Sequence, residues 1–233
     1  MARQLFELVG TDDRRFSPYC WRTRMALAHK RLEATRVPVR FTEKDKIAFS
    51  GGTTVPILVD GPNTVRDSWT IACYLEDTYP TANSLFGGPE GRALTRFFNL
   101  WTDTQLQPAL FQVIIGDLFA HVVDPGDQAY FRQTREARFG KTIEEIHAQR
   151  PEKLAAFKTA LAPLRALLIE QPYVSGARPA YADYIVFGSF QWGRMVSPFP
   201  VLQGEDAVLA WRGRMLDLYG GMARDVGALD TAA

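Results

Sequence analysis

The chain changes its hydrophobic pattern once along its length, and this change constrains the fold more than any other feature. Short runs typical of β-strands first alternate with runs of helical period, whereas every apolar pattern after about Gly91 is helical. The stretch between them, TYPTANSLFGGPEG, is rich in proline and glycine, as interdomain linkers are. The sequence therefore predicts an α/β domain over residues 1–80, a linker over 81–90 and an all-helical domain over 91–233.

The first half has the predicted order βαβ, a loop segment, then ββα. QLFELV is expected to form the first strand, and a helix begins at Pro18, with Trp21, Met25 and Ala28 on one face. EATRVPVRF is a second extended run, and Pro38 within it predicts an edge strand. PILVDG and NTVRD flank a Gly-Pro-Asn turn, which predicts a hairpin, and WTIACYLEDTY follows as a helix.

The second half is predicted to be a bundle of helices. An apolar stripe runs from Leu94 through Trp101 and continues after Pro108, which should kink or break the helix. Helices are also expected over about 128–147 and 152–169. YADYIVFGSFQWGRMV is apolar almost all round and predicts a buried central helix, which Asp183 is expected to cap alone. A last helix is marked by Val208, Trp211, Met215 and Leu218.

The composition excludes several classes of function. With 27 basic and 26 acidic residues the net charge is +1, so no global field favours nucleic acid or an anionic membrane. Arg132, Arg135 and Arg138 lie at helical spacing and are interpreted as a solvated helix face. No segment approaches the ~20 apolar residues that span a bilayer, and the N-terminus lacks the apolar core of a signal peptide. Two cysteines and three histidines leave no zinc spacing and no disulfide framework, so we expect a reduced cytoplasmic protein without a metal.

The motif SPYC, residues 17–20, opens the first helix and has the spacing of a redox-active C-P-Y-C with the first sulfur replaced by oxygen. Serine is a favoured N-cap and proline a favoured first helical residue, so a purely structural cap is one interpretation of Ser17. The positive end of a helix also favours an anion, and a hydroxyl there can donate a hydrogen bond to a bound thiolate. For Cys20, a packing role is the first interpretation, because free cysteine behaves as a small hydrophobe.

Three further features follow in the first half, each with a structural alternative. Val55-Pro56 precedes a strand, so Pro56 either starts that strand or forms a cis bond that leaves the Val55 backbone free to pair with an extended peptide. Asp67 or Ser68 can cap the next helix, and the free N–H groups of the same turn can bind a carboxylate. The run RFTEKDK, residues 40–46, is either solvated surface or a source of positive charge for a ligand carboxylate.

Together and in this order, these features resemble the thioredoxin-fold domain of a glutathione transferase, and the helical second half is what that family carries next. Within the superfamily, the chain most resembles the bacterial lignin β-etherases and the related fungal serine-type transferases. This similarity is seen in SPYCWRTRMAL, VPILVD, DSWTIACYLEDTYP and REARFGKTIEEI. The resemblance implies a homodimer that uses glutathione as co-substrate and attacks an apolar electrophile, with cleavage of aryl ethers among its candidate reactions.

The resemblance also assigns roles to individual residues. It implies that Ser17 contacts the glutathione sulfur and that Val55, before Pro56, holds the cysteinyl backbone. It gives the γ-glutamyl end to Asp67 and Ser68. Three basic residues are candidates for the glycyl carboxylate, and three aromatic residues for the apolar pocket. These are Arg40, Lys44 and Lys46, and Tyr19, Trp101 and Phe111. Two other hypotheses stay open: thiol–disulfide exchange through Cys20, and a non-catalytic protein that only binds a ligand.

Overall fold

The computed structural model describes residues 3–230. The predicted outer boundaries of the two domains, at residues 1 and 233, therefore lie outside the described part of the chain. Its only sheet within that range has four strands in the order β2-β1-β3-β4. The strands are β1 Arg3–Leu8, β2 Thr35–Val39, β3 Ile57–Asp60 and β4 Asn63–Arg66. β2 is parallel to β1 and the other pairs are antiparallel. Pro38 therefore lies on an edge strand, as predicted, where its missing N–H leaves no unpaired ladder position.

Helices complete a thioredoxin-like unit around this sheet, which confirms the predicted fold of the first half. α1 spans Pro18–His29 and α2 spans Ser68–Thr78. In the predicted loop segment, Lys44–Ser50 forms 3₁₀ turns that end at Gly51, whose φ is 69°.

The rest of the described chain is helical, as predicted. Its helices are α3 Pro89–Trp101, α4 Gln107–His121, α5 Gln128–Phe139, α6 Ile143–Ala148, α7 Arg150–Ala160, α8 Ala162–Glu170, α9 Tyr181–Val196 and α10 Ala207–Gly221. The single helix predicted over 128–147 is wrong in one respect, since it divides into α5 and α6. The division falls at Gly140, whose φ of 64° ends α5 in a left-handed conformation that glycine adopts without cost. Likewise the helix expected over 152–169 divides into α7 and α8.

Pro108 neither kinks nor breaks the chain in the way the sequence suggests. A π-helical segment, Thr102–Leu106, joins α3 to α4, and Pro108 lies in the first turn of α4. π-helical turns are rare, and they occur mostly as single turns inside α-helices, frequently at functional sites.

The apolar stripe of α3 faces outward in the single chain. Leu94, Phe97 and Leu100 are 70%, 66% and 47% exposed, whereas Thr95 and Asn99 are buried. This is the reverse of an ordinary surface helix, which buries its apolar face. The exposed stripe is therefore available to a partner.

α9 is buried along its whole length, as predicted, and packs closely on α1. At Gly188 a Cβ atom would lie 2.5 Å from the carbonyl oxygen of Pro18 and 3.1 Å from the Arg22 side chain. The contact thus needs glycine, and it fixes the start of α1 against the core of the helical domain.

Asp183 holds the start of α9 without help from a hydroxyl at Ala180. Its carboxylate accepts from the backbone N–H groups of Val174, Ser175 and Ala180 at 2.7, 3.0 and 3.1 Å, and from Trp211 Nε1 at 2.9 Å. Four donors on one buried carboxylate explain how the missing capping hydroxyl is tolerated.

Candidate functional site

A cavity of about 570 Å³ lies between the sheet domain and the helical domain. Its wall includes the start of α1, the loop before β3, the turn that opens α2, and one face each of α4 and α5. Seven of the predicted site residues line it: Ser17, Val55, Asp67, Arg40, Lys44, Tyr19 and Phe111. The fold therefore brings residues far apart in the sequence to one concave site, the usual form of a small-molecule site.

Ser17 is the N-cap of α1. Its Oγ accepts a long hydrogen bond of 3.4 Å from the backbone N–H of Cys20, and Pro18 occupies the first helical position. Ser17 is only 4% exposed, yet it lines the cavity. Since the hydroxyl accepts in its capping role, its own proton is free to be donated to an anion at the positive end of α1.

The bond between Val55 and Pro56 is cis. Pro56 accepts a hydrogen bond from the backbone N–H of Asp67 at 3.3 Å, which joins the loop to the start of α2. No backbone hydrogen bond of Val55 is found within residues 3–230. The Val55 N–H and C=O are therefore available to an extended ligand in the cavity.

The turn that opens α2 has a strained backbone. Asp67 has a φ of 72° and caps α2, accepting from the Thr70 N–H at 3.0 Å. Ser68 is buried, and its carbonyl accepts a 2.6 Å hydrogen bond from the Tyr181 hydroxyl, which ties the turn to α9. A non-glycine residue at positive φ is uncommon and occurs often at binding sites.

The three basic candidates lie in different surroundings. Arg40 and Lys44 line the cavity, where Arg40 pairs with Asp124 at 3.1 Å and Lys44 Nζ donates to the Thr53 carbonyl at 2.8 Å. Burial, and then the charge of a neighbouring arginine, lowers the pKa of Lys44. Lys46 instead lies outside the cavity and pairs with Glu43 at 2.7 Å.

The apolar part of the cavity is built on aromatic stacking. Phe111 stacks on Trp192 and on Phe139, each with ring centroids 5.5 Å apart. Tyr19 also lines the cavity, and burial raises its pKa. Of the three predicted aromatic residues, Trp101 packs half-buried against the core and is not part of the described cavity wall. Trp192 was missed because the apolar pattern of α9 indicated only burial.

The sequence interpretation missed that two further residues lie on the cavity wall. Arg135 and Arg138, taken as part of a solvated helix face, line the cavity together with Phe131. Arg132 behaves as expected, since it pairs with Glu136 and Glu144 on the surface. Arg138 is also exposed to solvent, as expected, although it lines the cavity as well. The helical spacing of 131, 135 and 138 was the available signal, because those positions share one face of a helix.

Cys20 is buried beneath this site, 1% exposed. Burial, and then the charge of Glu7, raises the pKa of its thiol to about 12. The sulfur is therefore protonated at neutral pH, and the thiolate is the nucleophilic form. This environment favours the packing interpretation over thiol–disulfide exchange.

Within residues 3–230, no helix is long and apolar enough to cross a bilayer. The same residues contain no group of three histidine, cysteine, aspartate or glutamate side chains placed to hold a metal ion.

Two family models match separate parts of the chain. The family model described as the N-terminal domain of glutathione S-transferase matches residues 16–78, and the one described as its C-terminal domain matches 93–218. A curated relative, the glutathione S-transferase-like protein ustS of Aspergillus flavus, is 26% identical over 141 residues, 55% of this chain and 50% of that protein. The match thus spans half the length of that relative.

Solved structures share the fold over nearly the whole chain. Glutathione transferase GSTFuA3 from Phanerochaete chrysosporium is 26% identical with a TM-score of 0.75, covering 95% of this chain and 92% of that one. The glutathione S-transferase CsGST63524 of Ceriporiopsis subvermispora, solved in complex with glutathione, is 22% identical with a TM-score of 0.76, covering 96% and 94%. The second likeness shows the fold alone.

Proposed function

Because the chain belongs to the glutathione S-transferase family, we propose that it binds glutathione in this cavity and activates its thiol for attack on an apolar electrophile. The observation that carries the proposal is the position of Ser17. Its hydroxyl caps α1 at the wall of a cavity that Val55 and Asp67 also line.

Ser17 acts in this proposal as a hydrogen-bond donor rather than as a nucleophile. A free thiol has a pKa of about 8.5 and is mostly protonated at neutral pH. A hydroxyl that donates to the sulfur and the positive end of α1 both favour the thiolate, which lowers the pKa of the bound thiol. The thiolate is then ready to attack carbon.

The remaining parts of glutathione fit the other polar groups of the wall. The unpaired backbone of Val55, held by Pro56, would bind the cysteinyl unit as a short strand. Asp67 and the N–H groups that open α2 with Ser68 would bind the charged γ-glutamyl end. For the glycyl carboxylate we propose Lys44 and Arg40, which line the cavity.

The electrophile would lie on the aromatic side, between Tyr19 and Phe111. In conjugation, a sulfur–carbon bond forms and the leaving group departs with the electron pair of the broken bond. In the finer proposal, cleavage of an aryl ether, the broken bond is carbon–oxygen, and the phenolate that leaves takes a proton from water. This finer proposal rests on the resemblance of the α1 and α2 motifs to the etherases and not on the cavity.

The proposal includes a homodimer and a reducing compartment. Leu94, Phe97 and Leu100 form an exposed apolar stripe on α3, which a second copy would cover. Glutathione serves as a thiol donor where thiols stay reduced, so we propose a cytoplasmic location.

Replacement of Ser17 tests the proposal. Purified protein should bind glutathione in calorimetry and conjugate 1-chloro-2,4-dinitrobenzene. Loss of a hydrogen bond to a charged atom should lower kcat/KM roughly 10- to 100-fold in Ser17→Ala. Ser17→Gly is the matched variant, because glycine keeps most of the capping stability while lacking the hydroxyl. Equal activity of wild type and both variants would refute the role of Ser17, and absence of glutathione binding would refute the function.

Replacement of Cys20 tests the rival hypothesis of thiol–disulfide exchange. Cys20→Ala should retain conjugating activity, because the sulfur is buried and protonated. Loss of a glutathione-dependent disulfide reductase activity in Cys20→Ala would instead favour thiol–disulfide exchange. An aryl ether whose phenol is fluorescent after release tests the finer proposal directly.

A further inference from the structure

We propose that the second substrate carries an acidic group on its aromatic ring, a carboxylate or sulfonate, which Arg135 and Arg138 bind. The inference rests on the proposed function, since it names the class of electrophile that would share the cavity with glutathione. Its basis is a pair of arginines on the part of the cavity wall that α5 contributes, beside Phe131.

Both arginines come from one face of α5. Phe131, Arg135 and Arg138 follow the i, i+4, i+7 spacing and line the cavity together. The guanidinium of Arg135 lies 4.7 Å from the Phe131 ring centroid and 5.3 Å from that of Phe41. Stacking on two rings fixes the plane of the guanidinium and leaves its N–H edge for a planar anion.

Neither arginine has an acidic partner in the part of the chain that the structure describes. Arg135 donates only to Thr134 Oγ1, at 2.8 Å, and Arg138 lies over the Phe139 ring at 5.5 Å. Arg132 on the same helix is bound by two glutamates, so α5 does contain counter-charges, but on its other face. Arg135 is half-buried and Arg138 is exposed, so the cost of an unpaired guanidinium falls on Arg135 unless a ligand supplies the anion.

The acidic residues of the cavity wall are already engaged. Asp103 pairs with Arg22 at 2.8 Å, and Asp67 caps α2. Lys44 and Arg40 remain on the side assigned to glutathione. Burial, and then the charge of Arg138, lowers the pKa of Arg135, so an anion between the two arginines would relieve both effects.

Phe139 lies between the Arg138 guanidinium and the apolar pocket. It lies beneath Arg138 and stacks on Phe111, which in turn stacks on Trp192. A flat ring placed against Phe111 would therefore direct a substituent towards the two arginines. The chemistry that fits is an aromatic acid and not a neutral hydrocarbon.

The glycyl carboxylate of glutathione is the competing anion, because Arg135 is near enough to Lys44 to lower its pKa. The test must therefore separate the two carboxylates. Calorimetry with three ligands does so: glutathione, S-(4-carboxy-2,6-dinitrophenyl)glutathione, and the methyl ester of that conjugate. The ester is formed on the ring carboxylate alone, so acid and ester differ in the charge under test and in one methyl group.

Wild type should bind the acid conjugate about tenfold or more tightly than the ester, as expected for charge-assisted hydrogen bonds. The double variant Arg135→Gln/Arg138→Gln should lose this preference and keep its affinity for glutathione. Arg135→Lys retains the positive charge but lacks the paired N–H donors of the guanidinium, so it should keep part of the preference for the acid conjugate. Arg132→Gln is the matched control on the same helix and should bind all three ligands as wild type does.

Equal affinity of wild type for acid and ester, or a preference that persists in the double variant, would overturn the inference while leaving the proposed function intact. So would an equal loss of affinity for glutathione and for the acid conjugate, since Arg135 would then bind the glycyl group. Absence of glutathione binding to wild type would refute the proposed function and the inference with it.

Discussion

Arg22 and Asp103 form an ion pair between the two domains, with Arg22 Nη1 2.8 Å from Asp103 Oδ1. Arg22 lies in α1 and is fully buried, whereas Asp103 lies in the π-helical segment and is 28% exposed at the cavity wall. Arg22 also donates to Gln107 Oε1 at 3.1 Å and lies over the Tyr19 ring. The pair therefore joins the helix that Ser17 caps to the helix that carries the apolar pocket.

Asp103→Asn should destabilise the protein by about 1–3 kcal/mol, because it leaves the buried Arg22 charge without its counter-ion. Arg22→Met combined with Asp103→Asn should cost less than the sum of the two single changes, as measured by denaturant unfolding. The exposed pair of Arg92 and Asp77, 2.6 Å apart, is the control, and Asp77→Asn should change stability by less than about 1 kcal/mol. Additive single changes would mean that the pair of Arg22 and Asp103 contributes no coupling.

Gly188→Ala should disturb the start of α1. The new methyl group would lie 2.5 Å from the Pro18 carbonyl oxygen, so α1 or α9 must move. We expect a loss of about 1–3 kcal/mol in stability and a lower kcat/KM with glutathione, because Ser17 moves with Pro18.

Gly213→Ala is the matched control for that change. It lies within α10, and among residues 3–230 no neighbouring atom lies within 4 Å of the site of its Cβ, so alanine should raise stability by about 0.5–1 kcal/mol. Thermal unfolding of both variants checks the expected loss of stability in Gly188→Ala and the expected gain in Gly213→Ala. A Gly188→Ala variant as stable and active as wild type would show that α9 does not position the cap.

The sequence predicted the fold well, because its strongest signals are local. Alternation, helical period and the position of Pro38 depend on neighbours in the chain and were sufficient for the sheet and its edge strand. Helix boundaries within the second half were predicted less accurately, because Gly140 ends α5 through a left-handed φ that a pattern of apolar residues does not reveal.

The site was predicted only where a motif carried it. Ser17, Val55 and Asp67 are on short motifs and line one cavity, although their roles stay predictions. Arg135 and Trp192 were missed because whether a residue faces solvent, core or cavity depends on how α5 and α9 pack. No spacing within one helix gives that information.

The burial of Glu7 leads us to expect that the free energy of unfolding depends on pH. Glu7 is fully buried in β1, and its carboxylate oxygens are 3.5 Å from Arg15 and Arg24. Burial raises its pKa from 4.5 to about 7, only partly offset by Arg36 and Arg15. The folded state then binds more protons than the unfolded state between these values, so stability falls as pH rises through that window.

Unfolding free energies measured from pH 4.5 to 7 check this sign. Relative to Glu7→Gln, the wild type should lose stability with rising pH by up to about 3 kcal/mol and level off above pH 7. Glu90→Gln, at an exposed site in α3, should leave the wild-type slope unchanged. A wild-type curve parallel to that of Glu7→Gln would show that the carboxylate stays ionised beside its arginines.

Lys44 and Lys46 allow a paired test of which residue binds the glycyl carboxylate. They are two positions apart in the sequence, and only Lys44 lines the cavity. Lys44→Gln should raise KM for glutathione about tenfold, the typical loss for a hydrogen bond between charged groups, and leave kcat nearly unchanged. Lys46→Gln should leave both constants as in wild type, because Lys46 pairs with Glu43 outside the cavity. An increase in KM confined to Lys46→Gln would reverse the assignment and require the 3₁₀ turns of Lys44–Ser50 to rearrange when glutathione binds.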